Sequence, residues 1–177
     1  MFYKELETDR MYLNNIGPED REFILRQFSD QDINRYLFDA EPITSIEEAD
    51  EIISYYLEPE PRGHHRWILV NKSGGTKMGT CGFHGFNKKN KSIEMGYDLQ
   101  KAFWGAGYMR EALEKIIDFA KENMEIEKID ACIYPENEKS IRLVTTLGFE
   151  LTGSRNERFR EKEYLHQIYT LRIKGGV

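Results

Sequence analysis

Two glycines flanking one alanine, Gly105-Ala106-Gly107, stand where a strand pattern ends and an amphipathic helix begins. No other stretch constrains the fold as much. A turn of this kind leaves the first backbone N–H groups of the helix unpaired and pointing outward. With the positive end of the helix dipole, they form a site for a phosphate or pyrophosphate. Glycine is needed because a Cβ would block both the turn and the close approach of a ligand to the backbone. The Gly-Lys-Ser/Thr of a P-loop is missing, and so is the third glycine of a dinucleotide fingerprint. Taken alone, Gly-x-Gly before a helix is also a plain helix entry, so the rest of the chain must decide.

With 177 residues, 40% of them hydrophobic and 32% charged, the chain reads as one globular domain over residues 1–177. A net charge of −6 argues against non-specific nucleic-acid binding and is compatible with a cationic or amine substrate. Cys81 and Cys132 each fall in an apolar strand pattern and read as buried thiols of a reducing compartment. They share no metal-ligand spacing with the four histidines, so no metal is expected. The opening residues carry no basic-then-apolar leader pattern, and no apolar run has the length of a membrane span. A cytoplasmic protein without membrane or nucleic-acid partners is expected.

Periodicity places a first strand over residues 8–13. A helix follows Gly17-Pro18, with Phe23, Ile24, Gln27 and Phe28 at helical spacing. Asp30 caps a second helix holding Ile33, Tyr36 and Leu37. Thr44-Ser45, ahead of Glu47 and Glu48, caps a third. Strands are expected over 67–70, 78–86 and 92–99, separated by turns at 71–75 and 87–91. The helix after Gly107 puts Met109, Ala112, Leu113, Ile116, Ile117 and Ala120 on one face. Another strand spans 126–134 and a short helix 137–147, stopped by Gly148. Residues 149–153 and 164–172 make a final antiparallel pair. The strand–helix–strand unit implies one parallel pair within an otherwise antiparallel sheet.

This element order, with Trp104-Gly105-Ala106-Gly107-Tyr108-Met109 at its centre, resembles the GNAT N-acetyltransferases, and most closely their RimJ/RimL-like branch. That branch shows Trp-Gly-x-Gly-Tyr-x-x-Glu-Ala at its coenzyme loop, met here from Trp104 to Ala112. Its Glu-x-Gly-Tyr strand is Glu94-Met95-Gly96-Tyr97. Its Asn-x-x-Ser helix start is Asn137 to Ser140, and its Leu-Gly-Phe is Leu147-Gly148-Phe149. The resemblance runs from about Thr8 to Leu171. It implies an α+β (mixed α/β) GNAT-like fold: a mostly antiparallel twisted sheet of about six or seven strands, with a central splayed parallel pair and flanking helices. It also implies acetyl-CoA as co-substrate. The pyrophosphate would sit on the backbone of Gly105, Ala106, Gly107, Tyr108 and Met109, beside Trp104. The pantetheine arm would pair with Tyr97, Asp98 and Leu99, and Asn137 would bond that arm. Trp104 and Met109 depart from the general family pattern, although Trp104 is usual in this branch, and the Met109 side chain can turn into the core. Val144 stands where many members carry a tyrosine acid, so that acid is missing here.

Acetyl transfer to an amine needs a proton acceptor for the amine, a donor for the oxyanion and an acid for the thiolate. Glu94, between Ile93 and Met95, is the candidate base, acting through a water, which requires a partly apolar setting to keep its pKa not far from neutral. Ser140 is the candidate acid, as the resemblance implies for chains lacking the tyrosine, and Tyr134 is the alternative phenol. A backbone N–H near Tyr97 is the simplest oxyanion donor. His64 and His65 precede a strand and read as surface or cleft-rim residues. His84 can face the cleft, the core or the surface. Phe28, Tyr36, Phe38, Tyr55 and Tyr56 lie on the early helices that roof the acceptor site in the family; most are expected in the core, with one or two lining the substrate pocket. Two functions from different classes are compatible with these residues: an N-acetyltransferase acting on a protein N-terminal amine or a small-molecule amine, and a catalytically silent acyl-CoA-binding sensor or scaffold. A nucleotide site at the Gly-x-Gly turn is the weaker third. The final strand pair suits a homodimer contact, while Leu165, Ile168 and Leu171 suit a core equally well.

Overall fold

The computed structural model of the chain describes residues 3–37 and 40–173. Among the described residues, eight strands form one sheet: β1 (Leu6–Glu7), β2 (Met11–Asn15), β3 (His65–Asn71), β4 (Lys77–Asn87), β5 (Ser92–Leu99), β6 (Lys128–Ile133), β7 (Glu150–Phe159) and β8 (Lys162–Arg172). Their order is β1-β2-β3-β4-β5-β6-β8-β7. The β5–β6 pair is parallel and every other pair is antiparallel. Between β5 and β6 lies α4 (Tyr108–Asn123), the crossover that a parallel pair requires. The remaining helices are α1 (Arg21–Ser29), α2 (Gln31–Asn34), α3 (Ile46–Tyr56) and α5 (Glu138–Thr146).

The α+β fold with its parallel centre is the one expected, and the differences are local. The eighth strand is the two-residue β1, too short to carry a period; it pairs Leu6 with Leu13. The strand expected over 8–13 starts three residues later, because Thr8 turns the chain by accepting from and donating to Met11. Helix α2 ends before Tyr36 and Leu37. The final hairpin is longer than expected. Its turn, Arg160-Glu161, takes positive φ at both residues (48° and 62°), and without Asn or Gly it carries no hairpin signature.

Helix starts follow local chemistry. The Asp30 side chain accepts from the N–H groups of Asp32 and Ile33, and Ser45 with Glu48 forms a capping box for α3. Alternation along β3 puts Trp67 and Leu69 on one face and Ile68 on the other. The first face packs on α4 through Ala112, Leu113, Ile116 and Ile117. The second packs on α1 and α3 through Phe23, Ile24, Ala49 and Ile53. With helices on both faces, the central strands are buried on both sides, and β4 is covered from Met78 to Phe83. Leu165 stays exposed on the hairpin, and Leu171 packs at the margin of the main cluster.

His64 and His65 are not at the surface or the rim. His65 stacks on Tyr3 with ring centroids 4.3 Å apart, and burial, then the Arg62 charge, pushes its pKa down to about 3. His64 stacks on Tyr55 at 4.0 Å. The apolar faces of these rings fill space between the start of β3 and its neighbours. Among the described residues, no helix is long and apolar enough to cross a membrane.

Candidate active site

The coenzyme-type turn is built as the glycines demand. Gly105 and Gly107 have φ of +75° and +80°, and Gly107 is the N-cap of α4, with no side chain capping the helix. The first-turn N–H groups are therefore left for an anionic ligand. Met109 turns its side chain into the core. Arg10, which sequence reasoning missed, braces the turn from the connection between β1 and β2. Its Nη1 donates to the Ala106 carbonyl at 2.9 Å, its Nε donates to Glu111 at 2.6 Å, and its guanidinium lies 4.3 Å from the Tyr108 ring centroid. Trp104 donates its indole N–H to the Leu99 carbonyl at 2.6 Å, tying the turn to the end of β5. Lys139 sits over the indole at 4.1 Å.

Strands β5 and β6 are matched from Ser92↔Lys128 to Glu94↔Asp130 and then part, although β5 continues to Leu99 and β6 to Ile133. The edge of β5 from Met95 onward is thus unpaired toward β6. A cavity of about 530 Å³ opens there. Phe28, Tyr36, Tyr55 and Tyr56 all line it, more than the one or two expected, because the segment after α2 and the end of α3 both face the cleft; Phe38 lies outside the described residues. Tyr134, at the end of β6, also lines it, stacked on Tyr36 with ring centroids 6.1 Å apart.

A chain of alternating charges crosses the cleft floor. Arg155 of β7 grips Glu94 with both terminal nitrogens, at 2.8 and 3.1 Å, and its Nε donates to Glu157 at 2.6 Å. His84 Nε2 lies 3.7 Å from Glu94, and His166 Nδ1 lies 3.3 Å from Glu157. The apolar setting expected to keep the Glu94 pKa near neutral is absent. His84, then Arg155, pulls the carboxyl down to about 2 against the opposing effect of burial. Cys132 is not a core residue but part of this floor, its thiol 3.5 Å from Glu94 Oε2. Burial and the Glu94 charge push that thiol up to about 12, which leaves it a poor nucleophile. Arg155, Glu157 and His166 left no sequence signal, because the final hairpin reaches the cleft only through tertiary pairing.

Toward the turn, the Tyr97 hydroxyl and Ser140 Oγ are 2.5 Å apart. Burial raises the Tyr97 pKa to about 12, so the phenol is protonated. Asn137 is the N-cap of α5; its Oδ1 accepts from the Ser140 N–H at 3.3 Å, which leaves its amide NH₂ to donate elsewhere. Val144 is fully buried on α5. Asp98 meets the cleft chiefly through its backbone. Its carboxylate accepts from Arg66 (2.9 Å), Thr80 Oγ1 (2.6 Å), the Thr80 N–H (3.2 Å) and Gln27 (2.6 Å). Among the described residues, no three His, Cys, Asp or Glu side chains gather as a metal site.

The family profile described as "Acetyltransferase (GNAT) domain" matches residues 10–150. The uncharacterized N-acetyltransferase p20 of Bacillus licheniformis is 30% identical over 165 residues, covering 93% of this chain and 92% of that protein. The RimL ribosomal L7/L12 alpha-N-protein acetyltransferase in complex with coenzyme A is similar in structure, with a TM-score of 0.85 at 16% identity over 96% of this chain and 98% of that one. Spermidine N-acetyltransferase from Vibrio cholerae, in complex with CoA and spermine, gives a TM-score of 0.81 at 20% identity over 94% and 97%. At these identities the structural likeness is one of fold.

Proposed function

The chain belongs to the GNAT acetyltransferase family, and from that premise we propose that it moves the acetyl group of acetyl-CoA onto a primary amine by direct attack in a ternary complex. The observation that carries this reading is the unpaired edge of β5, running from the carboxylate-lined cleft to an uncapped helix N-terminus behind two left-handed glycines. These features fit the coenzyme in kind: N–H donors for a pyrophosphate, and an open strand edge for an amide-bearing arm.

In this reading Gly105, Ala106, Gly107, Tyr108 and Met109 hold the pyrophosphate by backbone N–H groups, and Trp104 keeps their turn against β5. Tyr97, Asp98 and Leu99 offer the strand edge, and Asn137 donates its amide to the arm. Acetyl-CoA, when bound, supplies a thioester carbonyl as the electrophile. A backbone N–H near Tyr97 stabilises the oxyanion. Ser140 donates to the departing thiolate and is refilled by the Tyr97 phenol, a stronger acid than a serine hydroxyl. Glu94 belongs to the proton-transfer machinery as a fixed anion. Tyr134 contributes its ring to the acceptor wall and its phenol as the alternative donor.

In the cleft lining Asp98 and Arg66 neutralise each other and Glu41 is paired with Arg160, while Glu51, Glu94 and Glu157 stand against the single guanidinium of Arg155, which leaves the lining acidic. That balance, beneath an aromatic roof, supports a cationic amine acceptor. A polyamine-like molecule and a protein N-terminus both satisfy it. The unpaired cysteines support a cytoplasmic setting.

The test is thiol release from acetyl-CoA against polyamines, amino acids, aminoglycosides and peptides with differing N-termini, with calorimetric CoA binding in parallel. Release with one class supports the enzyme and names its acceptor. Tight CoA binding with no release on any amine points instead to a silent acyl-CoA-binding module, and absence of CoA binding refutes both.

A further inference from the structure

We propose that His84 is the base that takes the proton from the acceptor amine, with Glu94 as the positioning residue that holds its ring; this rests on the acetyltransferase reading above. His84 and Glu94 are direct cross-strand partners in β4 and β5, so both side chains leave the sheet on the cleft side. The regular register of β4 against β5 breaks immediately after His84, and Gly85 takes φ +62°. A bulge at this point re-aims the neighbouring side chain. The imidazole then lies over Gly96, where a Cβ would sit 3.3 Å from His84 Cε1 and 3.6 Å from Nδ1. Glycine at 96 thus has a reason in the ring it accommodates.

The two ring nitrogens are set apart by their surroundings. Nε2 faces the Glu94 carboxylate at 3.7 Å, and Nδ1 lies over Gly96, on the side of the ring nearer Arg66. With its proton on Nε2, directed at Glu94, the ring presents a lone pair at Nδ1. The side chain is 43% exposed, so a ligand can reach it. The charged groups around it are Glu94 from β5, Arg155 from β7 behind Glu94, and Arg66 from β3, itself paired with Asp98. Glu94, gripped by Arg155, is a weak proton acceptor but a fixed anion that steadies an imidazolium. Imidazole is the better base near neutral pH.

The ammonium gives one proton to His84 Nδ1, and the freed amine forms the N–C bond while the C–S bond breaks. The extra proton left on the amide nitrogen goes to solvent, the thiolate takes one from Ser140, and Ser140 is refilled from solvent through Tyr97. His84 then releases its proton, so one proton leaves to solvent per turnover.

The experiment compares wild type with His84→Gln on three probe acceptors, spermidine, kanamycin and a short peptide with a free N-terminus, as a function of pH. Added imidazole is tested as a rescuing base, and CoA affinity is measured by calorimetry. For any probe that turns over, the variant is expected to lose about 10²-fold or more in kcat. It should also lose the acidic limb of the pH profile, regain part of the rate with imidazole, and keep CoA affinity within about twofold. A His84→Gln enzyme with kcat and pH profile within about threefold of wild type overturns the assignment and leaves the acetyltransferase reading standing. No thiol release by wild type on any probe overturns both.

Discussion

Replacing Asp98 with alanine is expected to unfold the protein more readily by about 3–5 kcal/mol, because it strands a buried guanidinium. The Asp98 side chain is 7% exposed and that of Arg66 14%, so neither charge is well hydrated. Burial works to lower the Arg66 pKa, but Tyr56 and Asp98 more than reverse this, and the net direction is upward: the guanidinium stays charged. Removing the carboxylate takes away the ionic acceptor of Arg66 Nη1, which is left only Thr80 Oγ1, and the acceptor of Gln27 Nε2 and of both Thr80 donors. For a chain of 177 residues, each kcal/mol moves Tm by about 2–4 °C, so the expected drop is about 6–20 °C. Thermal denaturation followed by circular dichroism reads it directly. The double variant Asp98→Leu with Arg66→Met removes both charges and should recover much of the loss, since a buried pair is worth far less than the cost of breaking it. An Asp98→Ala protein melting within about 2 °C of wild type would refute the argument, as would a double variant no better than the single one.

Three further outcomes can be checked. Gly107→Ala forces a Cβ into φ +80°, 3.4 Å from the Arg10 guanidinium, so it should cost about 1–2 kcal/mol and weaken calorimetric CoA binding at least about tenfold. Tyr97→Phe should lower kcat about tenfold, measured by thiol release, with CoA affinity unchanged, because in the proposed mechanism Ser140 would lose the phenol that refills it. The Glu94 pKa is lowered in the fold from 4.5 to about 2, so its stabilising contribution is complete above pH 4.5 and is lost as pH falls toward 2. That contribution is about 3 kcal/mol before allowance for screening at the half-exposed Arg155, and about 1–2 afterwards. Melting curves of wild type and Arg155→Gln between those pH values should therefore converge as the pH falls, and a constant gap between them would count against the pairing.

The sequence by itself determined the elements whose signal is local. The bounds of β5 were legible from its alternating pattern and flanking turns. Helix α4 was legible from its apolar stripe and the glycines before it, and α3 from the Thr-Ser-x-Glu start. The β5–α4–β6 unit then required a parallel pair, while the splay that makes a cleft was implied only by the family resemblance. These signals act within a few residues, so a linear reading captures them. Tertiary structure alone decided the site's electrostatics. Glu94 reads as a plausible base in sequence, yet His84 across the strand pair and then Arg155, 61 positions away, hold its carboxyl far below neutral. Asp98 sits in the coenzyme strand by sequence, while Arg66, Thr80 and Gln27 claim its carboxylate. Cys132 falls in an apolar run but faces the cleft, and His84 is aimed there by a bulge that no periodicity announces. Side-chain charge states depend on which distant groups the sheet brings within a few ångströms. That is a property of strand order and register, and those arise from long-range pairing rather than from local propensity.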